Sequence, residues 1–163
     1  MITGAGWTLE AVHTPGHTQN HICLALHEEN LLFSGDHVMG WSTTVVSPPD
    51  GDMHDYMTSL DKLLARDDAL YWPTHGPAIT DPKTHVAALK RHREGREQAI
   101  GGALAGGTGR IPDIVTALYD DLPDRLRAAA ERTVHSHLVH MIQTGRAVSI
   151  GPPTAEADYG PIG

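Results

Sequence analysis

Three stretches of this chain run from an apolar segment into a Gly- or Pro-rich turn that carries an imidazole or a carboxylate. The first is His13-Thr14-Pro15-Gly16-His17-Thr18, with Asn20-His21 just behind it. The second runs from Leu31-Leu32-Phe33-Ser34 into Gly35-Asp36-His37, and the third from Ala69-Leu70-Tyr71-Trp72 into Pro73-Thr74-His75-Gly76-Pro77. Imidazole is the commonest protein metal ligand, and carboxylate oxygens serve beside it. If the three runs are strands of one sheet their ends gather, as strand ends do around α/β sites. His17, Asp36 and His75 then form one candidate metal cluster. His13 is expected to bond backbone within its turn, and His21 to support the cluster from behind. His37 should face away from Asp36, because successive strand side chains alternate.

The elements that must position these residues read as follows. Thr8 to His13 and His21 to Leu26 are strands flanking the first turn. Ile22, Leu24 and Leu26 share one face of the second, and the smaller Cys23 and Ala25 the other, which suits a sheet covered on both sides. Glu28-Glu29-Asn30 turns the chain into a hairpin with Leu31 to Ser34. Met39 to Gly51 is a long irregular segment beside the candidate cluster, and loops of that length tend to be functional. Its Ser42-Thr43-Thr44 reads equally as pocket lining or as plain polar loop. Met53, Tyr56, Met57, Leu60, Leu63 and Leu64 repeat at helical spacing, capped by Asp50 or Asp52, and that stripe is core. Strand 69–72 follows.

Asp81-Pro82 opens a second helix, reaching toward Ile100 with a charged face of Lys90 to Glu94, Arg96 and Glu97 that is expected to be solvated. Glycines at 101, 102, 106, 107 and 109 mark a linker over 101–110. Helices follow from Ile111 to about Tyr119, over 124–130 and over 131–144, then a strand over 146–150. This is the order of a winged-helix module. The tail 151–163 is rich in Pro and Gly and is expected to be disordered. The organisation is thus 1–100, a linker 101–110, a small domain 111–150 and a tail 151–163.

A formal charge of −8 disfavours a general binder of phosphate backbones. Arg132 is the lone fixed cation among His135, His137, His140 and Gln143 of the 131–144 helix, so a mainly structural role is expected for it. No apolar run approaches a membrane span, the start carries no secretion signal, and the single Cys23 cannot form an internal disulfide. The expectation is a cytoplasmic protein without a membrane partner.

Taken together, Thr14-Pro15-Gly16-His17-Thr18 with His21, Ser34-Gly35-Asp36, and Thr74-His75-Gly76-Pro77 resemble the third, fourth and fifth metal motifs of the metallo-β-lactamase superfamily, in order and spacing. Trp41-Ser42-Thr43-Thr44, Asp50-Gly51-Asp52-Met53, Tyr56-Met57 and the winged-helix-like tail are similar to the branch of lactamase-beta-like endoribonucleases and related hydrolases. The resemblance implies an α/β fold: the second half of an αββα sandwich, then a winged-helix-like α+β domain. It implies zinc chemistry, in which a metal pair makes a water nucleophilic and polarises a carbonyl or phosphoryl oxygen. His17 would hold one metal, Asp36 would bridge both as the catalytically central ligand, and His75 would hold the other. The family's His-x-His-x-Asp-His run has no counterpart here. A truncated product, or a missing half supplied by another polypeptide, is therefore expected, with at most one weakly held zinc and poor catalysis by the chain alone. Homo-oligomerisation, or complementation by that half, should cover the apolar strand face of Ile22, Leu24 and Leu26. Ester, thioester and RNA substrates remain open, as does a non-catalytic module whose tail contacts nucleic acid or a protein partner.

Overall fold

Apolar–polar alternation builds strand after strand in the first part of the chain. In a computed structural model that describes residues 1–119 and 121–162, these strands form one sheet in chain order. They are β1 (Ile2–Gly4), β2 (Trp7–His13), β3 (Ile22–Leu26), β4 (Leu31–Gly35) and β5 (Leu70–Pro73). The first four pair antiparallel, with Ala11 opposite Leu24 and Leu24 opposite Phe33. β5 joins β4 in parallel, Leu32 opposite Tyr71 and Gly35 opposite Pro73. A parallel pair needs a crossover. The segment containing helix α1 (Met53–Leu64) supplies it, and α1 is N-capped by Asp52, whose carboxylate accepts from the Asp55 amide at 3.0 Å.

This topology gathers the candidate residues. β4 and β5 run in one direction, so Asp36 and His75 emerge side by side at their C-terminal ends. β3 runs the other way, so the β2–β3 turn bearing His17 lies at the same end. The two faces of the sheet differ. Cys23, Ala25, Leu32 and Tyr71 are buried in a core with Tyr56, Leu60 and Leu63 of α1. On the other face Ile22, Phe33 and Trp72 remain 48%, 40% and 55% exposed.

The chain divides into two compact units, Met1–Arg91 and His92–Gly163. Helix α2 (Pro82–Ala105) begins in the first and ends in the second. The second unit continues with α3 (Ile111–Leu118), α4 (Asp124–Gln143) and a hairpin of β6 (Ala147–Ile150) with β7 (Asp158–Pro161). Its core holds Ile100, Leu104, Ile114, Val134, Leu138, Met141 and Tyr159. Among the described residues no helix is long and apolar enough to cross a membrane.

Several expectations need correction. Helix α2 continues through Gly101-Gly102 to Ala105, because flanking helix-formers and burial of Ile100 and Leu104 outweigh the glycine cost of about 1 kcal/mol each. The proposed linker is therefore helical over its first half, and the compact units separate at Arg91 rather than near residue 100. Arg93 and Glu97 on the charged face are buried, in line along the helix with Leu89 and Ile100. The helices expected over 124–130 and 131–144 are one helix, α4. The tail is not patternless: Asp158–Pro161 pairs with β6, and Tyr159 is core.

Candidate metal centre

The His17 turn is pinned to α1 by backbone. Gly16 adopts φ +132°, and a side chain there would collide with the Tyr56 backbone, so only glycine lets the turn lie against the helix. The Gly16 carbonyl accepts from the Asp52 amide at 3.0 Å, and the Ser59 hydroxyl donates to the Pro15 carbonyl at 2.8 Å. His17 is thereby held against the loop after β4, where its Nδ1 lies 2.7 Å from the Val45 carbonyl. A carbonyl only accepts, so Nδ1 carries a proton, and in the neutral ring the lone pair is therefore on Nε2.

That lone pair faces Asp36. His17 Nε2 is 3.9 Å from Asp36 Oδ2, and His75 Nε2 is 3.4 Å from Asp36 Oδ1. Each carboxylate oxygen thus has its own imidazole. Oδ1 is buried without a hydrogen bond, since the His75 contact is within ion-pair range but off a hydrogen-bond line. A buried carboxylate oxygen without a donor, and an imidazole presented lone pair first, are what a bound cation satisfies. The imidazole–carboxylate–imidazole set fits a divalent ion of the zinc type. Among the described residues no three His, Cys, Asp or Glu side chains are grouped so that they could hold one metal ion.

The remaining histidines of this region do other work. His13 Nε2 lies 3.1 Å from the Gln19 carbonyl, closing its turn. His21 Nδ1 meets the Thr14 hydroxyl at 2.9 Å, and the same hydroxyl lies 3.2 Å from the Cys23 thiol. Burial, then the nearby His17, lower the His21 pKa. His37 is turned into the core with its ring centroid 4.6 Å from that of Tyr56, both ring nitrogens without hydrogen bonds, and burial pushes its pKa down to about 3. Burial likewise pushes the Cys23 thiol up to about 11, so it is an inert core residue.

The sequence marks the segment after Asp36 as a functional loop but does not reveal how it acts: it is tied to all three candidate ligands. Gly40 N–H donates to the His75 carbonyl at 2.9 Å, Val45 receives His17 as above, and the Thr44 hydroxyl reaches the carbonyls of Asp36 (2.5 Å) and His37 (3.0 Å). Thr44 is buried, so it neither lines a pocket nor sits idle in a loop; it fixes the turn that aims Asp36. Its sequence signal was slight: a small hydroxyl residue eight positions beyond Asp36.

A second imidazole–carboxylate cluster lies within the other unit. Glu97 Oε1 accepts from His140 Nδ1 at 2.6 Å and His137 Nδ1 at 3.1 Å, while Oε2 pairs with the Arg146 guanidinium at 2.5 Å. Burial alone would raise the Glu97 pKa, but the bonds from His137, His140 and Arg146 outweigh it and hold the carboxyl far below its usual range. His137 is fully buried and its pKa is lowered, first by burial.

Residues 2–75 match the metallo-beta-lactamase superfamily model, and residues 111–153 match the beta-lactamase associated winged helix domain. Lactamase-like protein adaB of Aspergillus niger is 31% identical over 93% of this chain and 55% of its own length. Atrochrysone carboxyl ACP thioesterase AgnL7 of Paecilomyces divaricatus is 45% identical over 71% of this chain and 37% of its own. A metallo-beta-lactamase family protein from Thermus thermophilus superposes with a TM-score of 0.80 at 25% identity, over 99% of this chain and 52% of that one. The chain therefore spans about half the length of the adaB relative, 55%.

Proposed function

Because the chain belongs to the metallo-beta-lactamase superfamily, we propose that it contributes His17, Asp36 and His75 to a zinc-dependent hydrolase site acting on thioesters. The observation that carries this reading is the Asp36 carboxylate, with one imidazole on each oxygen and Oδ1 lacking a hydrogen bond. Relatives named as acyl-carrier thioesterases support a thioester over other esters. When bound there, zinc supplies Lewis acidity, polarising a carbonyl oxygen and bringing the pKa of a water near neutrality.

The chain's own residues orient and hold. Val45 fixes the His17 tautomer, Thr44 fixes the Asp36 turn, and Gly40 fixes the backbone at His75. RNA is the weaker substrate reading. Of the histidines on α4, His137 and His140 are engaged with buried Glu97 and are not free for phosphate, and the chain carries a formal charge of −8. The open sheet face around Ile22, Phe33 and Trp72 supports association with further polypeptide, and a cytoplasmic location suits the thiol Cys23.

The test is hydrolysis of an S-acyl N-acetylcysteamine thioester in zinc buffer, with and without a polypeptide supplying the His-x-His-x-Asp-His run. Turnover that Asp36→Ala abolishes is the expected result. Turnover that survives Asp36→Ala, or none under either condition, overturns the reading and leaves a non-catalytic module.

A further inference from the structure

The segment 40–45 carries two apolar side chains that the fold does not use. Trp41 is 74% exposed and Val45 64% exposed, although each sits on backbone tied directly to a candidate metal ligand. The Gly40 amide donates to the His75 carbonyl at 2.9 Å, so Trp41 follows a fixed point. That point is tight on both sides. A side chain at Gly40 would collide with the Pro77 carbonyl oxygen, and Gly76, at φ +90°, packs against Gly40 and the Trp41 amide. At the other end the Val45 carbonyl receives His17 Nδ1 at 2.7 Å. The backbone is therefore clasped to the turns of His75 and His17 while its two apolar side chains stand in solvent.

Exposed tryptophan beside a polar site is unusual for stability and usual for recognition, because the indole brings a large flat surface that loses little entropy on contact. Trp41 already lies nearly parallel to the His75 ring, at 25° and a centroid separation of 6.5 Å, which is an offset-stacked arrangement. An indole so exposed has ring surface left for a second planar group.

We propose that Trp41 and Val45 form the acyl-recognition rim of the candidate metal site, and that the acyl group they take is planar and aromatic. The proposal rests on the reading of His17, Asp36 and His75 as the hydrolytic site. Trp41 stacks on the acyl ring while Val45 covers its edge on the His17 side, and the carbonyl end of the acyl group is then directed toward Asp36. Trp41 is a specificity-determining residue here and takes no part in proton transfer.

The experiment is direct binding of two carboxylate probes, 2-naphthoate and cyclohexanecarboxylate, to the chain in zinc buffer, followed by calorimetry or ligand-observed NMR. The expected result is that the unaltered chain prefers 2-naphthoate, and that Trp41→Ala weakens it by about tenfold. Trp41→Phe, which keeps a planar ring, should stay within about threefold of the unaltered chain, and cyclohexanecarboxylate should move by less than about threefold in either variant. Trp72→Ala, which alters an exposed tryptophan on the open sheet face, should leave both probes unchanged. Equal loss of both probes, no effect of Trp41→Ala, the same loss from Trp72→Ala, or no binding of 2-naphthoate overturns the proposal. Binding is read without turnover. A chain that binds 2-naphthoate through Trp41 but hydrolyses no thioester even with the polypeptide supplying the His-x-His-x-Asp-His run overturns only the hydrolase reading, and hydrolysis indifferent to Trp41 overturns only the rim.

Discussion

The two imidazole–carboxylate clusters use the same residue types and do opposite things. At Glu97 the carboxylate is fully engaged: two imidazole N–H groups and a guanidinium point at it over 2.5–3.1 Å, and the atom left without a hydrogen bond is the far ring nitrogen of His137, Nε2. At Asp36 the partners stand 3.4 and 3.9 Å away, one imidazole is locked with its lone pair toward the carboxylate, and one oxygen has no donor. Side-chain exposure separates them too, 3% at Glu97 against 36% at Asp36. Charge complementarity closes on the carboxylate at Glu97, whereas at Asp36 it is left open to solvent, the feature on which the proposed metal role rests.

The largest effect that would break this contrast is at Glu97. Glu97→Ala leaves His137, His140 and Arg146 pointing into a buried gap, and should destabilise the second unit by about 3–5 kcal/mol. Urea unfolding followed by circular dichroism would show it. A loss below about 1 kcal/mol would put the cluster on a par with a surface ion pair and end the comparison. Asp36→Ala should behave in the opposite way. In metal-free buffer it should cost less than about 1 kcal/mol, since it removes a partly exposed carboxylate that lacks good hydrogen bonds. Its effect belongs to metal: zinc binding should fall by more than the roughly 10–100-fold that loss of an outer hydrogen-bond partner costs. Two tightly held zinc equivalents in the unaltered chain, or affinity that survives Asp36→Ala, would show that the site is built from other residues.

The difference also explains what was legible in the sequence. His17, Asp36 and His75 each follow an apolar run and sit in a Gly- or Pro-bearing turn, so local grammar alone suggested that they meet at one sheet end. The Glu97 cluster has no such grammar. Its carboxylate sits in a run of charges on α2 and its imidazoles lie 40 and 43 positions away on α4, so only the packing of helices reveals the pairing. The same physics misled the reading of the tail, where Tyr159 becomes core only because β7 finds β6. Turn chemistry is local and readable; burial of a polar residue depends on partners far along the chain. Thr44 is the intermediate case, near Asp36 in sequence but recognisable only from the two carbonyls it meets.

The smallest effect is in pH, and it separates the clusters without disturbing either. Burial lowers the His137 pKa, the Glu97 bond opposes this and the charge of Arg93 adds to it, so the folded chain favours the neutral ring. The unfolded ring takes up a proton near pH 6.5. Because the folded pKa lies below the unfolded one, stability is fully present above about pH 6.5 and declines as pH falls toward the folded value, by at most about 1.4 kcal/mol per pH unit. Glu97 adds a separate decline at lower pH. Its folded pKa is depressed, so its contribution is present above the unfolded carboxyl value of about 4.3 and is lost as pH falls below it. His137→Gln keeps an N–H donor for Glu97 but cannot titrate. Urea midpoints of the second unit measured between pH 7.5 and pH 5, with other histidines common to both proteins, should therefore fall less steeply in His137→Gln than in the unaltered chain. Parallel slopes would mean that folding leaves the His137 pKa unshifted, and a steeper fall in His137→Gln than in the unaltered chain would mean that His137 is protonated in the fold and that the second cluster is held by an imidazolium–carboxylate pair rather than by neutral hydrogen bonds.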